Sequence, residues 1–121
     1  MVVSDIDETS AAKVCEEIEK EGGNAIAVAC NVAVEGEVEQ LVEKAANEFG
    51  AIDVMVNNAG YSHMSRLLWK ISVEEFDSVF AVNVRGVFLG CKHVIPRMIE
   101  QKRGVIAVSY THLTLPTNSL V

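Results

Sequence analysis

Four consecutive residues, Asn57-Asn58-Ala59-Gly60, close an apolar run, Ile52-Asp53-Val54-Met55-Val56. A run of that length and β-branched content reads as a buried parallel strand. Where its ladder stops, Asn57 and Asn58 offer both donors and acceptors. Gly60 lets a ligand come close to the main chain. The combination suits a strand end that holds a ligand, although an Asn- and Gly-rich turn would use the same letters. Asn83 is a second candidate. It falls inside a helical pattern, where its amide competes with the backbone for hydrogen bonds, so a functional reason for it is expected. In the loop from 61 to 71, Tyr61, Met64 and Trp69 could shape a substrate entrance or pack beneath the loop. His63 reads as an exposed loop histidine. The sequence carries no paired-carboxylate, metal-ligand or nucleophile-elbow signature.

The elements that must position these residues alternate. Val2-Val3-Ser4 is the tail of a first strand, ending at Asp5-Ile6-Asp7. A helix over about Thr9 to Glu21 turns Ala11, Val14, Cys15 and Ile18 to one face and stops at Gly22-Gly23. Asn24 to Cys30 is a second strand, ending at Asn31-Val32. A helix over Glu35 to Phe49 places Val38, Leu41, Val42, Ala45 and Phe49 inward, with Gly50 as its stop. Ile52 to Val56 is the third strand. Ser72-Val73-Glu74-Glu75 reads as a capping box that opens a long helix to about Ile99. Pro96 should bend or interrupt that helix. Gly104-Val105-Ile106-Ala107 opens a fourth strand. Alternating strands and helices imply right-handed crossovers and a doubly wound α/β sheet.

Ligands of such sheets bind beyond the carboxyl ends of the strands. Three strand ends here are polar: Asp5, Asn31, and Asn57 with Asn58. Asp5 is the sharpest. A carboxylate at the end of the second strand of a dinucleotide fold accepts from adenosine ribose hydroxyls and would repel a 2′-phosphate, which favours NAD over NADP. The alternative is a helix N-cap, for which Asp7 is better placed.

The 121 residues suit one modest domain, with half the chain hydrophobic and few aromatics. The formal charge is −7 and no basic cluster occurs, so nucleic acid is not an expected partner. No apolar stretch is expected to span a bilayer. Cys15, Cys30 and Cys91 lack metal-ligand spacing and read as reduced thiols in a reducing compartment. Glu16-Glu17, Glu35-Glu37 and Glu74-Glu75 read as solvated helix faces.

With these motifs in place, the chain resembles the short-chain dehydrogenase/reductase family over residues 1 to about 107. The matching segments are Val3-Ser4-Asp5-Ile6, Cys30-Asn31-Val32, Gly50 to Gly60, and Val82-Asn83-Val84-Arg85-Gly86-Val87-Phe88, continued by Gly104-Val105-Ile106. The resemblance implies a Rossmann-type parallel sheet and an NAD-dependent oxidoreductase, with NADP less favoured. It would act on a small alcohol or carbonyl, in the cytoplasm, as a homodimer or homotetramer. Asp5, Ile6, Asn31, Val32, Asn58, Ala59 and Gly60 would bind cofactor, with Asn31 and Val32 against the adenine. The family usually has Asp at position 31, and Asn can still accept from the adenine amino group. Asn83 would be the catalytic asparagine that holds a water relaying protons to a lysine. No metal is implied.

The resemblance also sets two expectations about what these residues lack. The family's Gly-rich phosphate loop and first strand precede the Val3 strand, and that first strand belongs between the Val3 and Val54 strands. Without it, the sheet should split into two separated pairs with exposed edges. The family's Tyr-x-x-x-Lys has no counterpart either: four positions after Tyr110 stands Thr114, and no lysine follows Arg103. Ser109 follows the fourth strand without the family's surrounding sequence. Val108 to Thr117 is identical to one translated frame of a transposon-based sequencing adapter. Residues 108–121 are therefore expected to be a non-native tail on a partial dinucleotide-binding domain, 1–107, and the chain is expected to be inactive as a dehydrogenase.

Overall fold

The computed structural model describes residues 1–63 and 65–109. The readings at Met64, Tyr110 and Thr114, and those at 110–121 of the expected tail, lie outside the described residues.

The chain alternates strands and helices in the expected order. These are β1 (Val2–Asp5), α1 (Glu8–Lys20), β2 (Ile26–Ala29), α2 (Glu35–Phe49), β3 (Val54–Asn57), α3 (Val73–Phe80), α4 (Gly86–Gln101) and β4 (Val105–Val108). The sheet is split. β1 pairs in parallel with β2, β3 pairs in parallel with β4, and no ladder joins the pairs. Each pair therefore keeps free edges, and Val54 and Val56 of β3 stay more than half exposed. β4 includes Val108, opposite Asn57, and Ser109 donates its N–H to Asn57 C=O. That pairing runs through the main chain, so it is indifferent to which side chains occupy 108 and 109.

Local signals explain the helix ends. Asp7 caps α1, as its position suggested. α2 ends at Gly50, whose φ of +76° is open to glycine. Ser72 and Glu75 form both bonds of the capping box on α3. The long helix runs through Pro96 to Gln101 without interruption, and a π turn at Ala81–Arg85 lies around Asn83. Pro96 is exposed and removes only one ladder donor.

Two apolar clusters hold the halves together. Val42, Ile52, Val94 and Met98 form one, and Cys30, Val38 and Leu89 the other. Both contain residues of α2 and α4. Along α2, Val38 meets the end of β2 and Val42 meets the β3 side, so one helical stripe joins the two strand pairs. Gln101 adds a polar tie, accepting from Ile52 N–H at 3.1 Å and donating to Ile52 C=O at 3.0 Å. Glu35, expected to be solvated, accepts from Lys92 and contacts His93 at 3.3 Å, tying the start of α2 to α4. The Lys92 ammonium lowers the Glu35 carboxyl below its ordinary value.

Several apolar residues face out. Val14 of α1 is 44% exposed. Val73, Phe76, Phe80, Val84, Phe88, Ile95 and Ile99 form an exposed stripe along α3, the π turn and α4. Phe76 and Phe80 stack along it with centroids 4.4 Å apart. The continuous helix from Val73 to Gln101 is long and apolar enough to cross a membrane by length and composition, contrary to the sequence expectation. Its Gly86, Leu89, Gly90, Val94 and Met98 are buried.

If the α2 stripe joins the halves, Val38→Ala should lower unfolding stability in urea by about 2 kcal/mol. Val14→Ala on exposed α1 surface should change it by less than about 0.5 kcal/mol. Equal effects would contradict the bridging role of α2.

Candidate functional site

A cleft of about 470 Å³ opens where the carboxyl ends of β1, β2 and β3 meet the start of α4. All seven residues expected to bind cofactor, Asp5, Ile6, Asn31, Val32, Asn58, Ala59 and Gly60, line it. Ser4, Cys30, Met55, Tyr61 and Gly86 complete much of the wall. Parallel pairing sends the carboxyl ends within each pair to one side, and the α2 and α4 packing that joins the pairs brings both sets of ends to one cleft.

The two carboxylates after β1 divide their work. Asp7 is fully engaged: its side chain accepts from Thr9 N–H at 3.0 Å, Thr9 Oγ1 at 2.7 Å and Ser10 Oγ at 2.9 Å. The Thr9 and Ser10 side-chain bonds hold its carboxyl below the ordinary 3.8. Asp5 accepts one bond, from Asp7 N–H at 2.9 Å on Oδ1, and its other oxygen has no protein partner among the described residues. The cap therefore aims the chain while Asp5 keeps an acceptor for a ligand at the cleft.

After β2, Asn31 forms a compact turn. Its N–H donates to Glu37 at 2.6 Å, its Oδ1 accepts from Ala33 N–H at 3.0 Å, and its C=O accepts from Val34 N–H at 2.9 Å. Glu37, read from sequence as a solvated face, is thus a brace for this wall. Cys30 beside it is 3% exposed, and burial, with the Glu37 charge second, raises its thiol above the ordinary value. A neutral thiol there packs rather than reacts.

After β3, the two asparagines part. Asn57 turns toward α4, with Nδ2 3.9 Å from Cys91 Sγ. A Cβ on Gly90 would collide with Asn57 Oδ1, and one on Gly86 would sit 2.8 Å from Val32. Both glycines let α4 approach the strand ends. The Asn83-x-x-Gly86 spacing signalled Gly86; Gly90 carried no such signal. Asn58, Ala59 and Gly60 are left on the cleft, and no hydrogen bond engages the Ala59 or Gly60 N–H among the described residues.

Asn83 lies behind the wall. Its Oδ1 accepts from Tyr61 N–H at 2.9 Å and its Nδ2 donates to Tyr61 C=O at 2.8 Å. Both ends of the amide are occupied by one residue's backbone, which pins the segment after Gly60. Gly60 packs close to this amide: a Cβ there would lie 3.3 Å from Asn83 Oδ1, a tight contact. The π turn around Asn83 is a backbone feature often found at functional sites. The Asn83 side chain acts as a clamp on Tyr61, a partner that could not be read from spacing. His63 is partly buried rather than exposed, and Trp69 is 78% exposed on a short 3₁₀ turn. Among the described residues no group of His, Cys, Asp and Glu is arranged to hold a metal.

Comparison with known proteins gives concordant findings. The family model described as short chain dehydrogenase matches residues 1–111. The chain is 51% identical over 81 residues to 2-(R)-hydroxypropyl-CoM dehydrogenase of Xanthobacter autotrophicus, covering 65% of this chain and 32% of that protein. It is 44% identical over 98 residues to the 3-oxoacyl-[acyl-carrier-protein] reductase of Synechocystis sp., covering 81% and 39%. A crystal structure of 3-ketoacyl-(acyl-carrier-protein) reductase from Brucella melitensis complexed with NADH superposes with a TM-score of 0.81 at 37% identity, covering 88% of this chain and 45% of that one. The chain thus spans less than half the length of these relatives.

Asn83→Ala should release the Tyr61 amide. Hydrogen exchange at Tyr61 should quicken by about tenfold, the scale of a lost hydrogen bond. Asn83→Asp, which keeps the acceptor, should fall between. Unchanged Tyr61 protection in Asn83→Ala would contradict the clamp.

Proposed function

The chain belongs to the short-chain dehydrogenase family, and from that premise we propose that it represents an NAD-preferring oxidoreductase. Its reaction is hydride transfer between a nicotinamide and the carbinol or carbonyl carbon of a small molecule. The observation that carries this reading is the single cleft in which Asp5, Asn31 and Asn58-Ala59-Gly60 converge. The residues present fit the adenosine half of a dinucleotide. Among the described residues Asp5 has a free carboxylate oxygen for ribose hydroxyls, Val32 and Ala59 present unengaged N–H groups, and the volume admits a nucleoside. When bound, the nicotinamide supplies or takes up the hydride.

This chain's residues bind and orient. Asp5 selects an unphosphorylated ribose. Asn31 and Val32 meet the base. Asn58, Ala59 and Gly60 form the floor, and Asn83 positions that floor through Tyr61. In this reading Asn83 also holds the water of a proton relay, while its amide, engaged at both ends by Tyr61, fixes the turn. The exposed stripe from Val73 to Ile99 suits a subunit interface, in keeping with a dimer or tetramer. A cytoplasmic setting agrees with three free cysteines.

Calorimetric titration of the 121-residue chain with ADP-ribose and with its 2′-phosphate tests the cofactor reading. The 2′-phosphate should bind about tenfold more weakly, the scale of one like-charge contact near a protein surface. Asp5→Ser should bring the two ligands within about threefold. Equal affinities in the unaltered chain would overturn the NAD preference.

A further inference from the structure

We infer that Glu37 is a positioning residue for the base end of the cleft. From α2 it sets where the wall of Asn31 and Val32 stands, and with it the affinity for an adenine nucleotide. This rests on the adenosine-half reading above and concerns a residue that stands outside the lining of the cleft.

The first turns of α2 and α3 share a layout and use it differently. In α3 the N-cap is Ser72, and the glutamate three residues on, Glu75, accepts from Ser72 N–H at 3.1 Å while Ser72 Oγ accepts from Glu75 N–H at 3.1 Å. Both bonds stay within the helix start, as in any capping box. In α2 the N-cap is Val34, whose side chain cannot accept a hydrogen bond, and Glu37 stands at the same third position. Val34 N–H is already taken by Asn31 C=O at 2.9 Å, so the local target of the glutamate is closed. Glu37 reaches three residues further back, and its carboxylate accepts from Asn31 N–H at 2.6 Å. α2 thus starts without the side-chain cap that α1 and α3 have, and its carboxylate serves the cleft wall. A local rule broken in this way is expected where function needs the group.

The remaining bonds of the Asn31 turn do different work. Asn31 Oδ1 accepts from Ala33 N–H and Asn31 C=O from Val34 N–H, and both close within four residues. They set the shape of the turn. Glu37 ties that shape to the body of α2, one residue before Val38, which is buried against Cys30 and Leu89. Val32 packs on the same cluster and lies close to Gly86 of α4. The wall is held at Asn31 by a charge-assisted bond and at Val32 by apolar contact. Without the Glu37 carboxylate, Asn31 N–H loses its partner and a ligand must order the turn as it binds. Charge alone predicts the opposite: ADP-ribose is an anion, so loss of a nearby carboxylate would tighten its binding if repulsion governed.

The test is calorimetric titration of the full 121-residue chain with ADP-ribose, unaltered, as Glu37→Ala and as Glu37→Gln, with amide hydrogen exchange read on the same three proteins. Glu37→Ala should bind about tenfold more weakly, the scale of ordering one backbone residue. Its Asn31 N–H should exchange faster while Val38 N–H, bonded within α2, stays protected. Glu37→Gln keeps an acceptor oxygen and loses the charge, so its affinity should stay within about threefold of the unaltered chain. Unchanged affinity in Glu37→Ala, a Glu37→Gln no better than Glu37→Ala, or loss of Val38 protection together with affinity would overturn the positioning role while leaving the adenosine-half reading standing. Absence of ADP-ribose binding by the unaltered chain would overturn both.

Discussion

The described backbone has no hydrogen bond between its two strand pairs, and everything else depends on what replaces that bond. The replacement is side-chain packing on α2. Val38 gathers Cys30 and Leu89, and Val42 gathers Ile52, Val94 and Met98. Because apolar contact is not directional, a helix can join two sheets whose edges do not meet. The consequence is a fold whose secondary structure is regular and whose cohesion is concentrated in a few side chains. Free edges at β1 and β3 and the exposed stripe along α3 and α4 are surfaces that a fully covered α/β domain would not leave open.

The cleft inherits its order from the same arrangement. Parallel pairing within each pair and α2 packing between the pairs bring the strand ends to one side, and three local devices fix the groups there. Asp7 takes the capping role and frees Asp5. Glu37 and Ala33 fix the turn at Asn31. Asn83 holds the main chain after Gly60. In each case one polar side chain is spent on backbone geometry so that its neighbour faces the cleft. The glycines at 86 and 90 allow this by bringing α4 within contact of Val32 and Asn57.

Much of this was legible before the structure. Strand ends are announced by a change from apolar to polar residues, which is why Asp5, Asn31 and Asn58 were found together. The Ser72 and Glu75 cap and the Asp7 cap are local patterns with local causes. The split sheet followed from strand order in the resembling family. The partner of Asn83 was not legible, since a clamp across 22 residues depends on tertiary placement. The acceptor roles of Glu35 and Glu37 were hidden for a related reason: a carboxylate on a helix face looks solvated until another element reaches it. The helix continues through Pro96 because one missing donor at an exposed position does not end a helix packed along its other side. Val14, though in phase with Ala11 and Cys15, has no layer above it and stays exposed.

The central claim is that these strand ends form the adenosine half of a dinucleotide site. Amide chemical-shift mapping of the isotope-labelled chain during titration with ADP-ribose tests it most directly. The account predicts saturable shifts concentrated at Asp5, Ile6, Asn31, Val32 and Asn58 through Tyr61. Shifts confined to the Phe76–Phe88 stripe, or none at millimolar ligand, would contradict it.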